Sequence, residues 1–539
     1  MSLSLSRKEF LLLIAVWLVA TILNVTKPFH IDDAFHLEAA KYLADNPSSP
    51  SKGMINWDQT PEPLLSFNQP PLFFYLLALV GNWVNFSELP LHLLASVFTF
   101  LAIYFFYLTA RLLKPRDAVW LTLLFSLGPA FLVNQNIMVD IPVLSMSLAF
   151  GFFLLKYYDD PKLKFLIPGG LFLGLALLIK YTVLPLLVIF IIPIIARKKY
   201  NHAIAVLIPL GMLALWSVWN YFDYGSIQVL TRNSGRDGLK GLPDNILNFM
   251  ANYGAIAPFI PALAATVLDT GKRFLITVYS IGSLFVLFVL LSLGNIISAE
   301  LSKEIIRYLF LLTGLFGAVI FIISFIRKHS ENDIPDIKWE KKTFLVLWFG
   351  ALALFVILFA PFMATRHLLL TLPPFLLIFP ATKSSFSGSL KITSVVITAV
   401  LGITLSISDY RYARFYKLQA NRIAHEYGSE PENIKIYSLG HWGWQHYSKE
   451  NGMEIYSSCN SELKPGDLIV FPVEVPKQAI CEGIEVKTIK KLWDNPGLLS
   501  FFSTRHEASF YQSGYKRPAW KLSHIANDTI IIQRVISNN

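Results

Sequence analysis

Charged residues are scarce in this 539-residue sequence, and their scarcity argues against an ordinary soluble protein. They make up 15% of the chain, whereas soluble domains carry roughly a quarter. Hydrophobic residues make up 54%, and apolar runs long enough to cross a bilayer recur from Phe10 to about Ile407. The sequence therefore predicts a mostly α, polytopic membrane protein whose spans are helices, because lipid cannot hydrogen-bond a free backbone.

Cysteine is almost absent, which excludes a disulfide-rich scaffold. Only Cys459 and Cys481 occur, both in the polar C-terminal part, and their spacing fits no zinc site. From the sequence, a disulfide and two free thiols both remain open. The chain also lacks internal repeats and low-complexity tracts.

Acidic residues are outnumbered by basic ones, 36 against 46, which gives a net charge of +10. The basic residues lie in short loops between apolar runs, as the positive-inside rule expects of cytoplasmic loops. We therefore expect the lipid bilayer as a partner and no nucleic acid.

The basic clusters predict the membrane orientation. Placing Arg7 and the clusters near 111–116, 162–164, 197–199 and 327–342 on the inside leaves one consistent path. The basic and then apolar N-terminus is read as a retained first span. The later spans are predicted at roughly 89–112, 118–135, 141–157, 163–179, 182–196, 203–222, 254–268, 274–294, 304–326, 343–361, 367–380 and 391–407. About 13 crossings of the plasma membrane then leave the N-terminus inside and the C-terminus outside.

This path also predicts the external parts of the chain. The apolar segment 68–84 is interpreted as a helix lying on or dipping into the outer leaflet, because a crossing there would move the basic cluster at 111–116 to the outside. The first external loop is then about 27–88, and the second about 223–253. After Asp409, segments such as "DLIVFPV" and "TIIIQRV" resemble strands. We predict a transmembrane domain over 1–408 and a small extracytoplasmic α/β domain over 409–539.

Two adjacent acids, Asp32 and Asp33, follow the first span at the start of the helical pattern "DDAFHLEAAKYL". Asp32 could simply cap that helix, although capping does not need the second acid. Two neighbouring carboxylates titrate as a pair, so one can accept a proton while the other stays charged. This arrangement is typical of general-base activation of a nucleophile. With His30 and His36 nearby, a divalent-metal site formed with Asp32 and Asp33 also remains open.

A third acid and several cations are predicted on the same side of the membrane. Asp140 begins a later span, where it could be only a helix-start residue before Pro142. The cations are Lys180, Arg232, Arg236 and Arg366. Such side chains suit a phosphate-bearing ligand, although each one alone could be a lipid anchor or a snorkelling residue. Their shared side of the membrane favours a functional site.

Five segments, in their order along the chain, resemble the GT-C membrane glycosyltransferases. They are "DDAFHLEAAKYL", "NQPPLFFYLLAL", "VDIP", "LIKYTVLPL" and "TRHLLLTLPPFLL". The most similar group is the protein O-mannosyltransferase-like superfamily, which includes glycosyltransferase family 39 and the bacterial enzymes that add aminoarabinose to lipid A. The resemblance covers about Phe10 to Asp409.

The resemblance implies a GT-C fold and transfer of a hexose or pentose from a polyprenyl-phosphate donor to an extracytoplasmic acceptor. It implies no required cofactor, and a divalent metal remains possible. The implied catalytic acids are Asp32, Asp33 and Asp140, and the implied phosphate-binding residues are Lys180 and Arg366. Arg232 and Arg236 are predicted to bind phosphate from their charge and their side of the membrane, and the predicted sugar or acceptor contacts are His36, Trp57 and Gln69. Two positions depart from the family: its second acid is usually Glu rather than Asp33, and Lys or His often stands at Gln69.

Two other classes of protein fit the composition. A transporter or flippase of lipid-linked sugars would also have many spans, but transporters place charges near the membrane midplane and commonly contain repeats. A non-catalytic scaffold gives no reason for the acidic pair. The sequence does not distinguish a lipid glycan, a cell-surface polymer and a protein hydroxyl as acceptor.

Overall fold

The computed structural model describes most of the chain. The described residues are 5–67, 69–231, 241–268, scattered positions between 280 and 294, and then 296–327, 337–380, 388–428, 434–459, 461–494, 500–502, 508–523 and 526–538. The helices of eight or more residues are Arg7–Asn24, Asp33–Asp45, Leu72–Val84, Glu88–Leu113, Ala118–Ser126, Asp140–Asp159, Leu163–Leu177, Pro185–Ala196, Leu207–Tyr224, Leu242–Ile256, Ile260–Leu268, Ala299–Ile326, Trp339–Phe359, Gly388–Tyr427 and Trp442–Glu450. Shorter helical turns are Leu64–Ser66, Pro129–Val133, Tyr181–Val183, Tyr200–Val206, Gln228–Thr231, Thr365–Leu368 and Leu372–Ile378.

Six helical segments in the described part of the chain are long and apolar enough to cross a membrane. They are Glu88–Leu113, Asp140–Asp159, Tyr200–Tyr224, Ala299–Ile326, Trp339–Phe359 and Gly388–Tyr427. The helices Leu242–Ile256 and Ile260–Leu268 together give a seventh candidate, but they meet at 94°, as in a broken span or a re-entrant loop. The predicted mostly α, multi-pass architecture is confirmed, while the count of about 13 crossings stays a prediction.

Several predicted spans are shorter or interrupted in the structure. The predicted span 118–135 is two helices, because Ala118–Ser126 ends before the Gly128-Pro129 step and a new helix begins at Pro129. The predicted span 367–380 contains only the short helix Leu372–Ile378. About half of the predicted span 274–294 falls outside the described residues. The segment predicted to lie on the outer leaflet forms the helix Leu72–Val84, which is too short to span a bilayer upright. Its place on the outer leaflet stays a prediction.

Two helices of the membrane part cross at a pair of glycines. A Cβ atom on Gly254 would lie 1.9 Å from the carbonyl oxygen of Phe310, and one on Gly314 would lie 1.9 Å from that of Met250. The helices Leu242–Ile256 and Ala299–Ile326 therefore touch backbone to backbone, as small residues permit in membrane bundles. This crossing fixes the bent helix pair against the bundle.

The C-terminal part contains a five-stranded sheet with order β4-β3-β5-β7-β6. Its strands are β3 (Ile436–Ser438), β4 (Glu454–Ile455), β5 (Leu468–Pro472), β6 (Ile484–Trp493) and β7 (Thr529–Asn538). The strand β3 pairs in parallel with β4 and β5, whereas β7 is antiparallel to β5 and β6. A separate two-stranded hairpin, β1 (Met54–Ile55) with β2 (Glu62–Pro63), lies in the first loop. The predicted small α/β unit is thus confirmed.

The helix Gly388–Tyr427 continues without a break from the apolar part of the chain into the polar C-terminal part. It is 40 residues long, so at 1.5 Å per residue it extends about 60 Å. The predicted domain boundary between residues 408 and 409 falls inside this helix. The composition changes there from apolar to polar, but the helix continues through the change. The sheet itself begins at Ile436.

Cys459 and Cys481 form a disulfide that closes 22 residues within the sheet region. A disulfide that closes a loop of this length is expected to stabilise the folded state by about 3 kcal/mol, through the loss of conformational entropy in the unfolded chain. We therefore expect the double variant Cys459→Ser/Cys481→Ser to lower the unfolding free energy of the C-terminal region by about that amount. Protease-monitored urea unfolding of the full-length protein checks this, with dithiothreitol-treated wild type as the control. Equal stability of all three samples would contradict it.

Candidate active site

The acidic pair lies in a strained turn that directs its two side chains differently. Ile31 adopts φ +49°, a conformation that is unfavourable for a β-branched residue and costs about 1–3 kcal/mol. Asp33 Oδ2 accepts a hydrogen bond from the His30 backbone N–H at 2.7 Å. Asp32 stands at the N-cap of the helix Asp33–Asp45, yet its side chain makes no capping bond. The Asp32 carboxylate is therefore available for another partner.

Four of the sequence-predicted site residues line one cavity of about 210 Å³, which we call the site cavity. They are Asp32, Asp140, Lys180 and Arg366. Trp57 and Gln69, predicted as sugar or acceptor contacts, line it as well. The remaining wall is largely apolar and includes Phe355, Val356, Ala360, Phe362 and Leu370. Residues up to 334 positions apart in the sequence thus meet in one cavity.

The charged groups of the site cavity alternate in sign. Arg366 Nη2 donates to Asp32 Oδ2 at 2.9 Å, and Arg366 Nε lies 3.9 Å from Asp140 Oδ2. Lys180 Nζ donates to Asp140 Oδ1 at 2.6 Å. The Asp140 side chain is 6% exposed and that of Asp32 is 21% exposed. Asp140 is therefore held between two cations, while Asp32 is the more accessible carboxylate.

His36 contacts both the backbone of the turn at Asp32 and the side chain of Gln69. His36 Nδ1 lies 2.6 Å from the Asp32 carbonyl oxygen, and His36 Nε2 lies 2.8 Å from the Gln69 side-chain oxygen. Burial lowers the pKa of His36 below its usual value. The His36 ring lies between the two residues, and as a neutral imidazole it donates through only one of its nitrogens.

Trp57 connects the site cavity to the C-terminal region. Its ring centroid lies 5.6 Å from that of Phe35 and 5.3 Å from that of His441. The Gln445 side-chain amide donates to the Asn56 carbonyl at 2.9 Å. The hairpin that carries Trp57 is therefore held against the helix Trp442–Glu450.

Asp33 is fully buried and is not among the residues that line the site cavity. Burial, the largest cause, raises the pKa of its carboxyl to about 8, against the smaller opposing effects of the His30 N–H and the Lys27 ammonium. Asp33 is thus largely neutral at pH 7 and holds the turn by accepting from the His30 N–H. This geometry favours a positioning role, and direct catalysis by Asp33 stays a prediction.

A carboxyl group whose pKa is raised on folding binds more protons in the folded than in the unfolded state between about pH 4 and 8. The contribution of Asp33 to stability is therefore present at pH 4 and is lost as the pH rises towards 8. We expect Asp33→Asn, which keeps an acceptor oxygen, to weaken the fall in melting temperature between pH 5 and pH 8. Melting curves of both proteins in detergent measure this difference, and equal slopes would rule the effect out.

The four residues predicted as possible metal ligands do not converge. The His30 ring is buried, and its Nε2 atom lies 3.6 Å from Asp409 Oδ1. Burial lowers the pKa of His30 well below its usual value. Asp32 faces the site cavity, whereas Asp33 faces the interior. Among the described residues, no group of three or more His, Cys, Asp or Glu side chains could hold a metal ion.

Arg232 and Arg236, predicted to bind phosphate, lie outside the described residues, so their positions relative to the site cavity are not described. Sequence reasoning missed Thr182 and His367, which line the site cavity. Each lies one or two positions after a predicted cation, and this closeness in the sequence could have indicated them. Sequence reasoning also missed Lys27, because no local pattern in the sequence points to its partner.

Lys27 is the centre of a buried polar cluster behind the site cavity. It forms an ion pair with Asp409, and both side chains are fully buried. Tyr511 donates to Asp409 Oδ2 at 2.9 Å and accepts from Asn136 Nδ2 at 3.0 Å. The first loop, the long helix and the C-terminal region therefore meet at this pair.

The C-terminal segment 508–514 also holds the turn that carries Arg366. The backbone N–H and the hydroxyl of Thr365 both donate to the Phe510 carbonyl, at 3.3 Å and 3.0 Å. The Arg366 guanidinium carbon lies 5.9 Å from the centre of the Tyr511 ring. The position of Arg366 in the site cavity thus depends on residues about 145 positions later.

One family model matches the chain. It covers residues 68–222, which include Gln69, Asp140 and Lys180, and it describes dolichyl-phosphate-mannose-protein mannosyltransferases. Over these residues the predicted resemblance to the protein O-mannosyltransferase-like superfamily is confirmed. No curated protein matches the chain.

Three solved structures are similar to the chain at low identity. The protein ArnT of Cupriavidus metallidurans, bound to undecaprenyl phosphate, is 15% identical with a TM-score of 0.43, over 87% of this chain and 94% of its own. The Archaeoglobus fulgidus oligosaccharyltransferase, with zinc and sulfate, is 13% identical with a TM-score of 0.46, over 82% and 62%. The S. cerevisiae protein O-mannosyltransferase complex Pmt1–Pmt2, bound to its sugar donor, is 18% identical with a TM-score of 0.33, over 42% of this chain and 34% of its own.

Proposed function

We propose that this protein is a membrane glycosyltransferase that moves a sugar from a polyprenyl-phosphate donor to an acceptor outside the plasma membrane. The observation that carries the proposal is the site cavity, in which two carboxylates and two cations adjoin an apolar wall. A polyprenyl-phosphate sugar combines the same three properties: a polar sugar, an anionic phosphate and an apolar tail. The N-terminus would lie inside and the C-terminal region outside.

Lys180 and Arg366 are proposed to bind the donor phosphate. When the bond between the anomeric carbon and the phosphate oxygen breaks, its electron pair stays on the phosphate, and two adjacent cations stabilise that charge. Asp140 contacts Lys180 at 2.6 Å and lies 3.9 Å from Arg366, so it would hold both in place. Arg232 and Arg236 remain further proposed phosphate contacts.

Asp32 is proposed as the general base. In the free protein its carboxylate pairs with Arg366, and a bound phosphate would compete for that arginine and release it. Asp32 would then accept the proton of the acceptor hydroxyl while the acceptor oxygen bonds to the anomeric carbon. Trp57, Gln69 and His36 are proposed to orient the sugar or the acceptor. No cofactor enters this scheme.

The apolar wall is proposed to receive the first isoprene units. Phe355 and Val356 lie in the last turns of the helix Trp339–Phe359 and line the site cavity. Leu354 and Phe359 of the same helix are exposed, as expected where a helix meets lipid. The tail would therefore leave the site cavity along this helix into the bilayer.

The test is sugar transfer in membranes supplied with radiolabelled polyprenyl-phosphate hexoses and pentoses. Wild type should label an acceptor with one of these donors, and Arg366→Lys should raise the KM for that donor, because lysine cannot make the paired contacts of a guanidinium. Lys164→Arg, at an exposed lysine far from residue 366 in the sequence, serves as the control. If the donors only change leaflet and no sugar is transferred, the flippase reading replaces this proposal.

A further inference from the structure

A second cavity of about 360 Å³ adjoins the site cavity. It lies between the start of the helix Leu242–Ile256, the chain at Pro361–Met363 and the C-terminal segment 512–517. Pro361 and Phe362 line both cavities, and the Phe362 ring centre lies 5.6 Å from the Arg366 guanidinium carbon. Its volume falls in the range of about 300–1,000 Å³ that is typical of ligand pockets.

The lining of this second cavity differs in chemistry from that of the site cavity. It contains the carboxamides of Asn245, Asn248 and Gln512, the hydroxyls of Ser513 and Tyr515, and the ammonium of Lys516. Its described lining includes no Leu, Ile or Val side chain. Its apolar side chains are Pro361, Phe362 and Met363. Carboxamides both donate and accept hydrogen bonds, as a ligand with many hydroxyl groups requires.

The walls of the second cavity are held in place by hydrogen bonds. Asn248 Oδ1 accepts from the Tyr515 backbone N–H at 2.7 Å, and Ser513 donates from its hydroxyl to Asn252 Oδ1 at 2.5 Å. The Ser513 backbone N–H donates to the Met363 carbonyl at 3.1 Å. The polar groups are therefore ordered before a ligand arrives, which lowers the entropic cost of binding.

We propose that the second cavity binds the acceptor and that the acceptor is a glycan. This inference rests on the proposed function and deepens it by naming the acceptor class. A saccharide held by the carboxamides would present one hydroxyl past Phe362 to Asp32 in the site cavity. Gln512 and Lys516 are exposed, so the rest of a long glycan can continue outward.

Thiol labelling tests binding without any need for turnover. The two cysteines of the described chain are paired with each other, so Gln512→Cys introduces a single reactive thiol at the rim. Saccharides released from the source membranes by mild acid should slow its reaction with a maleimide at least threefold. Lys487→Cys, exposed on β6, is the matched control and should react at an unchanged rate. A tryptic peptide mixture is the competing ligand and should not protect.

The second measurement is transfer to the same saccharides at saturating donor. Lys516→Ala should raise the acceptor KM at least fivefold and leave the donor KM unchanged, because it removes binding that ground state and transition state share. Lys487→Ala should change neither constant. Absence of protection at Gln512→Cys, or protection by peptides alone, would overturn the glycan site. Protection by saccharides without sugar transfer by wild type would instead overturn the proposed function and leave the glycan site intact.

Discussion

Replacing Asp32 with asparagine is expected to lower sugar transfer by about 10² to 10⁴-fold, the range that general bases contribute. The Asp32 side chain is the more exposed carboxylate of the site cavity and makes no helix-capping bond. Asparagine retains the size of the side chain but cannot accept the acceptor proton. We expect a loss in kcat with little change in the donor KM, measured with the radiolabelled donor in membranes.

The control for this experiment is Asp45→Asn. Asp45 is exposed at the other end of the helix Asp33–Asp45, so the control changes the same charge on the same helix. It should transfer sugar at the wild-type rate. Full activity in Asp32→Asn, with wild-type expression, would show that another group takes the proton, and Asp140 would become the first candidate.

Replacing Lys27 with methionine is expected to destabilise the protein by about 3–5 kcal/mol. Lys27 and Asp409 are both fully buried, and the variant would leave the Asp409 charge without its cation. Tyr511 still donates one hydrogen bond to Asp409, which does not compensate a buried charge. Thermal or urea unfolding in detergent should show the loss, and transfer should fall as well because Tyr511 helps to position Arg366.

Two further variants separate charge burial from other effects. Lys27→Met/Asp409→Leu removes both charges, so it should recover most of the lost stability. Lys417→Met breaks the more exposed pair between Lys417 and Glu88 and should cost less than about 1 kcal/mol. If Lys27→Met unfolds like Lys417→Met, the buried pair contributes little and the C-terminal region is held by other contacts.

Local sequence patterns predicted much of the fold. The helical pattern that begins at Asp32 became the helix Asp33–Asp45, and the strand-like segments "DLIVFPV" and "TIIIQRV" correspond to the strands Leu468–Pro472 and Thr529–Asn538. Some of the long apolar runs became helices with bounds within a few residues of those expected, as Glu88–Leu113 shows. Such features depend on neighbouring residues, which the sequence shows directly.

The arrangement inside the site was predictable only in part. Membrane orientation favoured Asp32, Asp140, Lys180 and Arg366 on one side, and the structure brings them into one cavity. The different directions of Asp32 and Asp33 depend on the positive φ of Ile31, a conformation that its residue type does not predict. The Lys27–Asp409 pair joins residues 382 positions apart, and no local pattern relates them.

The length of the helix Gly388–Tyr427 has a consequence for the choice of acceptor. Asp409 lies about 32 Å from its first residue at 1.5 Å per residue, which is close to the thickness of a bilayer's hydrocarbon core, about 30 Å. The predicted path places residue 388 at the inner surface, and on that path the buried pair with Lys27 would hold the proposed site at the height of the outer lipid headgroups. We infer that acceptors are selected by how far their hydroxyl stands from the bilayer. Lipid-anchored saccharides with spacers of increasing length would show a sharp optimum if this is so, and equal rates at every length if it is not.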